Sequence, residues 1–298
     1  MPEEGIDYVD RNSLLNYEEI ERLCSILSAQ GVEKLRITGG EPFIRKDLPL
    51  LLQILRPKFK SLHITTNGTR LHKYGRFLEE LHIDSVNLSL DTIQAEKFHK
   101  ITRRDVFKKV WTSIEQLIKT TSIVNINVVV IKGVNDEEIL DFCNLTKDRA
   151  INVRFIESMP FNGSEQNEGE ALMTYLDVLE VIRSAYPIIQ QIKQHLPSSS
   201  VQYYVPGHEG KIAVIPAYSR TLCGTCNRLR ISPTGVLKTC LYDSGVFNLR
   251  DMMRAGASDE QLTLAIQDAV LHKPEDGFQA EKQSRDSSFF ESMATIGG

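Results

Sequence analysis

The sequence predicts an α/β chain whose parallel strands form a partly open barrel with a polar lumen, followed by a region that carries a cysteine cluster. Three observations lead there. Short β-rich runs alternate with amphipathic helical patterns from Tyr17 to Ile156. One face of those strands is polar. Beyond Ser158 the composition changes to a polar, acidic, glycine-bearing stretch before three crowded cysteines.

Taken in order, the strand candidates of the first half are Leu35 to Thr38, Leu62 to Thr66, Ser85 to Leu90, Val124 to Ile131 and Ile151 to Ile156. Between and before them, Tyr17 to Ala29, Leu48 to Leu55, Lys73 to Leu81, Val106 to Ile118 and Glu137 to Thr146 repeat apolar residues every three or four positions, as a helix with one buried stripe requires. Strands that alternate with helices at this rhythm pair in parallel. The stretch Asn162 to Glu170 reads as a junction, so the chain divides into residues 1–160 and 161–298. After the junction come a helix from Met173 to Ala185, strands around Gln202 to Val205 and Lys211 to Ile215, the cysteines, and a helix from Asp259 to Leu271.

The strand faces say more than the strands. Side chains alternate along a strand, and one set reads Arg36 and Thr38, His63 and Thr65, Asn87, Ser89 and Asp91, Asn125 and Asn127, then Asn152 and Arg154. A closed (β/α)8 interior is filled with branched aliphatics, and a doubly wound sheet is apolar on both faces. A lumen that holds ligand and water accommodates these polar groups. A sheet with one solvent-facing side is the alternative.

No apolar run of eighteen residues occurs, and the acidic start Met1-Pro2-Glu3-Glu4 is not followed by an apolar segment, so the sequence predicts a cytoplasmic protein without a membrane partner. A net charge of -4 supplies no overall attraction to nucleic acid, so an anionic ligand needs a local basic cluster.

Cys223-Gly-Thr-Cys226 puts two thiols on one turn, and Cys240 follows after thirteen intervening residues. Zinc sites and [4Fe–4S] clusters usually take four protein ligands. Three thiolates on an iron cluster would leave one iron open to a ligand. A zinc knuckle completed by His208 or His272, or a redox Cys pair, stays open at this point. Cys24 and Cys143 sit alone in helical patterns and read as small buried hydrophobes.

Arg228 and Arg230 flank the second cysteine on one side of an extended segment, and guanidinium groups favour phosphate or carboxylate. Lys34, Arg36 and Arg154 add cations on or beside the polar face. Gly39-Gly40-Glu41-Pro42 at the end of the first strand allows close ligand approach, or is an ordinary turn opened by Pro42.

Thr38-Gly-Gly-Glu-Pro42, Thr65-Thr-Asn-Gly68, Asn87-Leu-Ser-Leu-Asp91, Arg154-Phe-Ile-Glu157, the three cysteines and the terminal Gly297-Gly298 together resemble the GTP 3′,8-cyclase family of radical-SAM enzymes, over essentially the whole chain. The resemblance implies an incomplete (β/α)6 TIM-like barrel, its first strand missing here, with a C-terminal region that carries a second [4Fe–4S] cluster. It implies conversion of GTP to (8S)-3′,8-cyclo-7,8-dihydroguanosine 5′-triphosphate in molybdenum cofactor biosynthesis. In that reaction a cluster cleaves S-adenosylmethionine to a 5′-deoxyadenosyl radical that takes hydrogen from the GTP ribose.

By resemblance, Gly40, Ser89 and Met159 contact S-adenosylmethionine, and Lys34, Arg36, Thr65, Arg154, Arg228 and Arg230 contact GTP. Asn125, where the family has a lysine, is a further contact that supplies hydrogen bonds without charge. Cys223, Cys226 and Cys240 hold the second cluster, and Gly297 and Gly298 form a catalytic tail. An electron donor, a cyclic pyranopterin monophosphate synthase that takes the product, and a homodimer are the implied partners.

The family's CxxxCxxC loop for the first cluster precedes a Met-Pro pair, and this sequence starts at Met1-Pro2. The expectation is therefore a truncated chain whose loop lies upstream, inactive as it stands. A peptide-modifying maturase with an auxiliary cluster and a degenerate, non-catalytic GTP-binding paralogue are the competing readings.

Overall fold

The computed structural model describes residues 10–120, 122–159, 172–193 and 198–284. Its helices are α1 (Tyr17–Ala29), α2 (Leu48–Leu55), α3 (Gly75–Glu80), α4 (Ala95–Thr102), α5 (Phe107–Leu117), α6 (Ile139–Asn144), α7 (Tyr175–Ala185), α8 (Leu249–Arg254), α9 (Asp259–Leu271) and α10 (Gly277–Ser284). The strands are β1 (Lys34–Ile37), β2 (Ser61–Thr66), β3 (Ser85–Ser89), β4 (Ile123–Val130), β5 (Ile151–Glu157), β6 (Gln190–Gln191), β7 (Val201–Tyr204), β8 (Ile212–Ile215), β9 (Arg230–Ile231), β10 (Val236–Lys238) and β11 (Phe247–Asn248). Among these residues no helix is long and apolar enough to cross a membrane.

Helix ends follow local chemistry. Asn16 with Glu19, Thr174 with Asp177, and Ser258 with Gln261 form reciprocal capping boxes that start α1, α7 and α9. Each satisfies backbone N–H groups that have no partner within the helix. The expected helices over 17–29, 48–55 and 259–271 have these bounds in the structure, while α3, α5, α6 and α7 are shorter at one or both ends.

Contacts divide the chain into two compact units, one from His63 to Cys226 and the other formed by the residues before and after it. The flanking unit gathers Leu23, Ile26 and Leu27 of α1, Leu237 of β10, Leu249 and Met253 of α8, and Leu262, Ile266 and Ala269 of α9 into one apolar core. Within it β9, β10 and β11 form a small antiparallel sheet.

The central unit is a mostly parallel sheet. β2, β3, β4, β5 and β8 run parallel in that order, and β7 and β6 continue it antiparallel. β8 thus joins the sheet from beyond residue 160, so the composition change there does not end the sheet. One face packs Val86, Leu88, Val124, Ile126, Ile151, Val153 and Phe155, all buried, with Val110, Ile114, Phe142, Val178 and Ile182 from the helices. The burial of β5 alternates strictly, which frees Asn152 and Arg154 for the opposite face.

Candidate functional site

The polar face of the central unit is a hydrogen-bonded row. The parallel register sets Thr65 beside Asn87, Asn87 beside Asn125, and Asn125 beside Asn152. Asn87 Nδ2 donates to Thr65 Oγ1 at 3.3 Å, Asn125 Nδ2 to Asn87 Oδ1 at 3.0 Å, and Asn152 Nδ2 to Asn125 Oδ1 at 3.1 Å. The Arg154 guanidinium also donates to Asn87 Oδ1, at 2.7 Å. Asn87 has no exposed surface, so its single carbonyl oxygen organises an amide and a cation at once.

Next along the strands, Ser89, Asn127 and Arg154 are register partners. Ser89 is exposed. Asn127 Oδ1 is buried and has no hydrogen-bond partner among the described residues. A buried acceptor left open in this way calls for a donor, and a bound molecule would supply one. Asp91 caps the same strand end, where burial raises its carboxyl above the usual range against the lowering effect of a 2.9 Å bond from the Val129 N–H. Asn135, which carried no role in the sequence, donates to the carbonyls of Asp91 and Val129 and holds that strand end in place.

Glu157 ends β5 with its side chain almost fully buried. Its carboxylate accepts from the backbone N–H of Tyr175, the first residue of α7, and from both the N–H and hydroxyl of Ser219, each at 2.7 Å. Ser219 opens the approach to the cysteines: Arg220 N–H donates to the Pro216 carbonyl, Cys223 N–H to Arg220, and Cys226 N–H to Cys223. A 3-10 turn over Cys223–Thr225 presents the two thiols, both half-buried and not in a disulfide. His208 bonds Thr146 Oγ1 at 2.8 Å in this same unit, and burial holds its pKa below the usual value.

In the flanking unit, β9 pairs Arg230 with Lys238 of β10, two residues before Cys240. Asp243 shapes the Cys240 turn, its Oδ2 accepting from the N–H groups of Thr239 and Cys240 at 2.7 Å each. No role for Asp243 is read from the sequence, although Asp is a turn former whose side chain accepts from nearby backbone N–H groups, as it does here also from Gly245 at 3.0 Å. Arg36 keeps its surface open to solvent on β1, while protein surrounding it at longer range, and then like-charged Arg228, lower its pKa. Lys34 is exposed on the same strand, and Gly40 follows it in a bend. Pro42 starts a 3-10 helix capped by Glu41, so the Gly-Gly-Glu-Pro motif is a strand-to-helix turn. Met159 is half-buried two residues past β5, while Gly297 and Gly298 lie outside the described residues.

Among the described residues no three His, Cys, Asp or Glu side chains gather as a metal site. The donor chemistry of Cys223, Cys226 and Cys240, three half-buried thiols outside any disulfide, fits thiolate ligation of iron. Cys24 and Cys143 differ in kind, since burial pushes Cys24 from 9.0 up to about 12 and Cys143 higher still. Maleimide at pH 8 is therefore expected to label Cys223, Cys226 and Cys240 while sparing Cys24 and Cys143 until the fold opens, read by mass spectrometry of the peptides. The buried thiols keep their protons in the fold to higher pH than in the unfolded chain. Their contribution to stability is complete below pH 9 and declines as pH rises towards 12.

Residues 7–146 match the Radical SAM superfamily and residues 151–278 match Molybdenum Cofactor Synthesis C. GTP 3′,8-cyclase of Chlorobaculum tepidum is 37% identical over 287 residues, covering 95% of this chain and 86% of the relative. The chain belongs to the radical-SAM GTP 3′,8-cyclase family. Membership implies a [4Fe–4S] cluster and S-adenosylmethionine. Molybdenum cofactor biosynthesis protein 1 of Dictyostelium discoideum is 41% identical over 282 residues, 92% of this chain and 44% of that protein, so the chain spans about half the length of such relatives of the family. The crystal structure of Streptococcus suis SuiB shares the fold, with a TM-score of 0.61 at 13% identity over 87% of this chain and 60% of SuiB.

Proposed function

We propose that this member of the GTP 3′,8-cyclase family binds GTP on the polar face of its parallel sheet and closes the bond between the ribose and guanine within molybdenum cofactor biosynthesis. The observation that carries this reading is the row Thr65–Asn87–Asn125–Asn152 with Arg154 bound into it. A sheet face of amides and hydroxyls with a fixed guanidinium hydrogen-bonds a nucleotide and meets its phosphates with charge. Lys34, Arg36, Arg228 and Arg230 supply the remaining cations, and Asn125 adds hydrogen bonds without charge.

Gly40, Ser89 and Met159 would hold S-adenosylmethionine, and the open Asn127 acceptor beside Ser89 supports a ligand there. When bound with its cluster, that cofactor supplies the radical that takes hydrogen from the ribose. Cys223, Cys226 and Cys240 would hold a second [4Fe–4S] cluster whose open iron orients guanine. Gly297 and Gly298 would serve as the catalytic tail. The division at residue 160, a cytoplasmic setting, an electron donor, a downstream cyclic pyranopterin monophosphate synthase and a homodimer belong to the same proposal.

GTP affinity, measured by calorimetry, is expected to fall at least tenfold in each of Arg154→Ala, Arg228→Ala and Arg230→Ala, since a charge-assisted contact to phosphate is worth about 1.5–3 kcal/mol. Affinity unchanged in all three would remove GTP as the ligand and favour a peptide substrate.

A further inference from the structure

A second group of cations lies on the central unit, on segments that the polar face does not use. The loop after β2 carries Arg70, His72 and Lys73, and the segment leading into α5 carries Arg104 and Lys109. These stretches lie more than thirty residues apart in sequence, and Gly68 brings them together. Its φ of +75° suits glycine, and a Cβ there would lie 2.8 Å from Leu88 Cδ1 and 3.3 Å from Val110 Cγ1. Ser113 Oγ of α5 lies 3.2 Å from the Gly68 carbonyl and 2.9 Å from the Lys109 carbonyl of its own helix, so its one proton is shared between loop and helix, and Leu71 is buried behind the loop. Loop and helix are thus held together by packing, and the cations are brought along with them.

Between them is a cavity of about 360 Å³ lined by Thr69, Arg70, His72, Lys73, Arg104 and Lys109, with no carboxylate on its wall. Asp105 turns instead to a neighbouring depression with Glu96 and Lys100. Elsewhere several surface cations have acidic partners, as Arg22 with Asp259, Arg76 with Glu80 and Arg254 with Glu19 do. Arg70, Lys73, Arg104 and Lys109 form no ion pair among the described residues. α5 opens on Val106, which also lines the cavity and offers no side-chain acceptor to the first N–H groups of the helix. Like charges held together without counter-charge raise the local potential, and a concave wall focuses it.

We propose that this cavity binds phosphate-bearing anions, with a diphosphate or triphosphate chain as the recognised group. Two arginine forks and two lysine point charges suit its oxygens, and the uncapped start of α5 adds backbone donors. The volume is at the lower end of the range for small-ligand pockets. The proposal stands apart from the reading of the polar face, because it uses neither Arg154 nor any cysteine.

Trp111, the sole tryptophan of the chain, provides the readout. It sits one turn into α5 and stacks on Phe107, with ring centroids 6.0 Å apart. Titrating the full chain with inorganic pyrophosphate is expected to change Trp111 fluorescence saturably, with an affinity that drops steeply as salt rises. Lys73→Glu combined with Arg104→Glu should weaken binding at least tenfold, while Lys119→Ala, an exposed cation past the far end of α5 and outside the cavity wall, stays within twofold of the parent. Should the reversed pair fail to fold by circular dichroism, Lys73→Gln with Arg104→Gln is the substitute, with at least threefold weakening expected. Because GTP is also proposed to bind the polar face, its part at this cavity is read as the GTP affinity lost in the charge-altered pair: a loss no larger than that for pyrophosphate would show that the phosphate chain alone is read, and a larger one that a nucleotide is the source. The proposal is overturned if pyrophosphate gives no saturable change, if the charge-altered pair binds as tightly as the parent, or if chloride at matched ionic strength acts alike.

Discussion

Replacing Asn87 with leucine is expected to destabilise the central unit by about 3 kcal/mol or more and to weaken GTP binding at least tenfold. Leucine matches asparagine in heavy-atom count and branching and is the bulkier of the two, so none of the loss comes from a cavity. It comes from groups left behind: Thr65 loses a donor, and Asn125 and Arg154 lose the carbonyl oxygen they share. Asn87 has no exposed surface, so water cannot easily replace that oxygen. Asn87→Asp is the informative companion. It keeps an acceptor for Arg154 but surrenders the donor to Thr65, so stability should fall less while the hold on Arg154 persists. Denaturant unfolding and calorimetric GTP titration check both substitutions, and a Leu variant as stable as the parent would show that the row is not structural.

Glu157→Ala is expected to have the next largest effect, again about 3 kcal/mol, because it orphans two backbone N–H groups and a hydroxyl in a buried position. The carboxylate lies at the start of α7, where the helix dipole favours negative charge. Glu157→Gln, which keeps one acceptor oxygen, should cost less. A second readout separates positioning from plain stability. The hydrogen bonds through Ser219 and Arg220 run on to Cys223, so maleimide should label Cys223 and Cys226 several-fold faster in the Ala variant under conditions where the rest of the fold remains native. Unchanged labelling would limit Glu157 to holding α7.

Much of this architecture was legible in the sequence because local rules and global packing agree. The helix over 259–271 starts where Ser258 caps it, and the polar face was read from a period of two, which survives wherever one strand face meets helices and the other does not. Other elements left weaker traces. α4 carries a single buried residue, Phe98, so no stripe announces it. The strands β6, β9 and β11 are two residues long and exist through their partners. In the candidate site, residue types were legible but bonding was not. Asn87 was visible as one polar residue among eleven on that face, and only the register shows that Arg154 and Asn125 meet on it. Glu157 was read as part of a motif and Asp243 not at all, because each acts on backbone groups that a sequence does not display.

The parallel pairing of β5 with β8 also has a consequence for how the chain is made. β5 ends at Glu157 and its neighbour begins at Ile212, so more than fifty residues leave the ribosome before that edge is covered. Until then a seven-residue strand with Ile151, Val153 and Phe155 on one face offers its open edge to any other extended segment. Long-range parallel pairing is slow to form, and unpaired edges exposed during synthesis invite misassembly. The later third of the polypeptide thus shields the earlier part during synthesis.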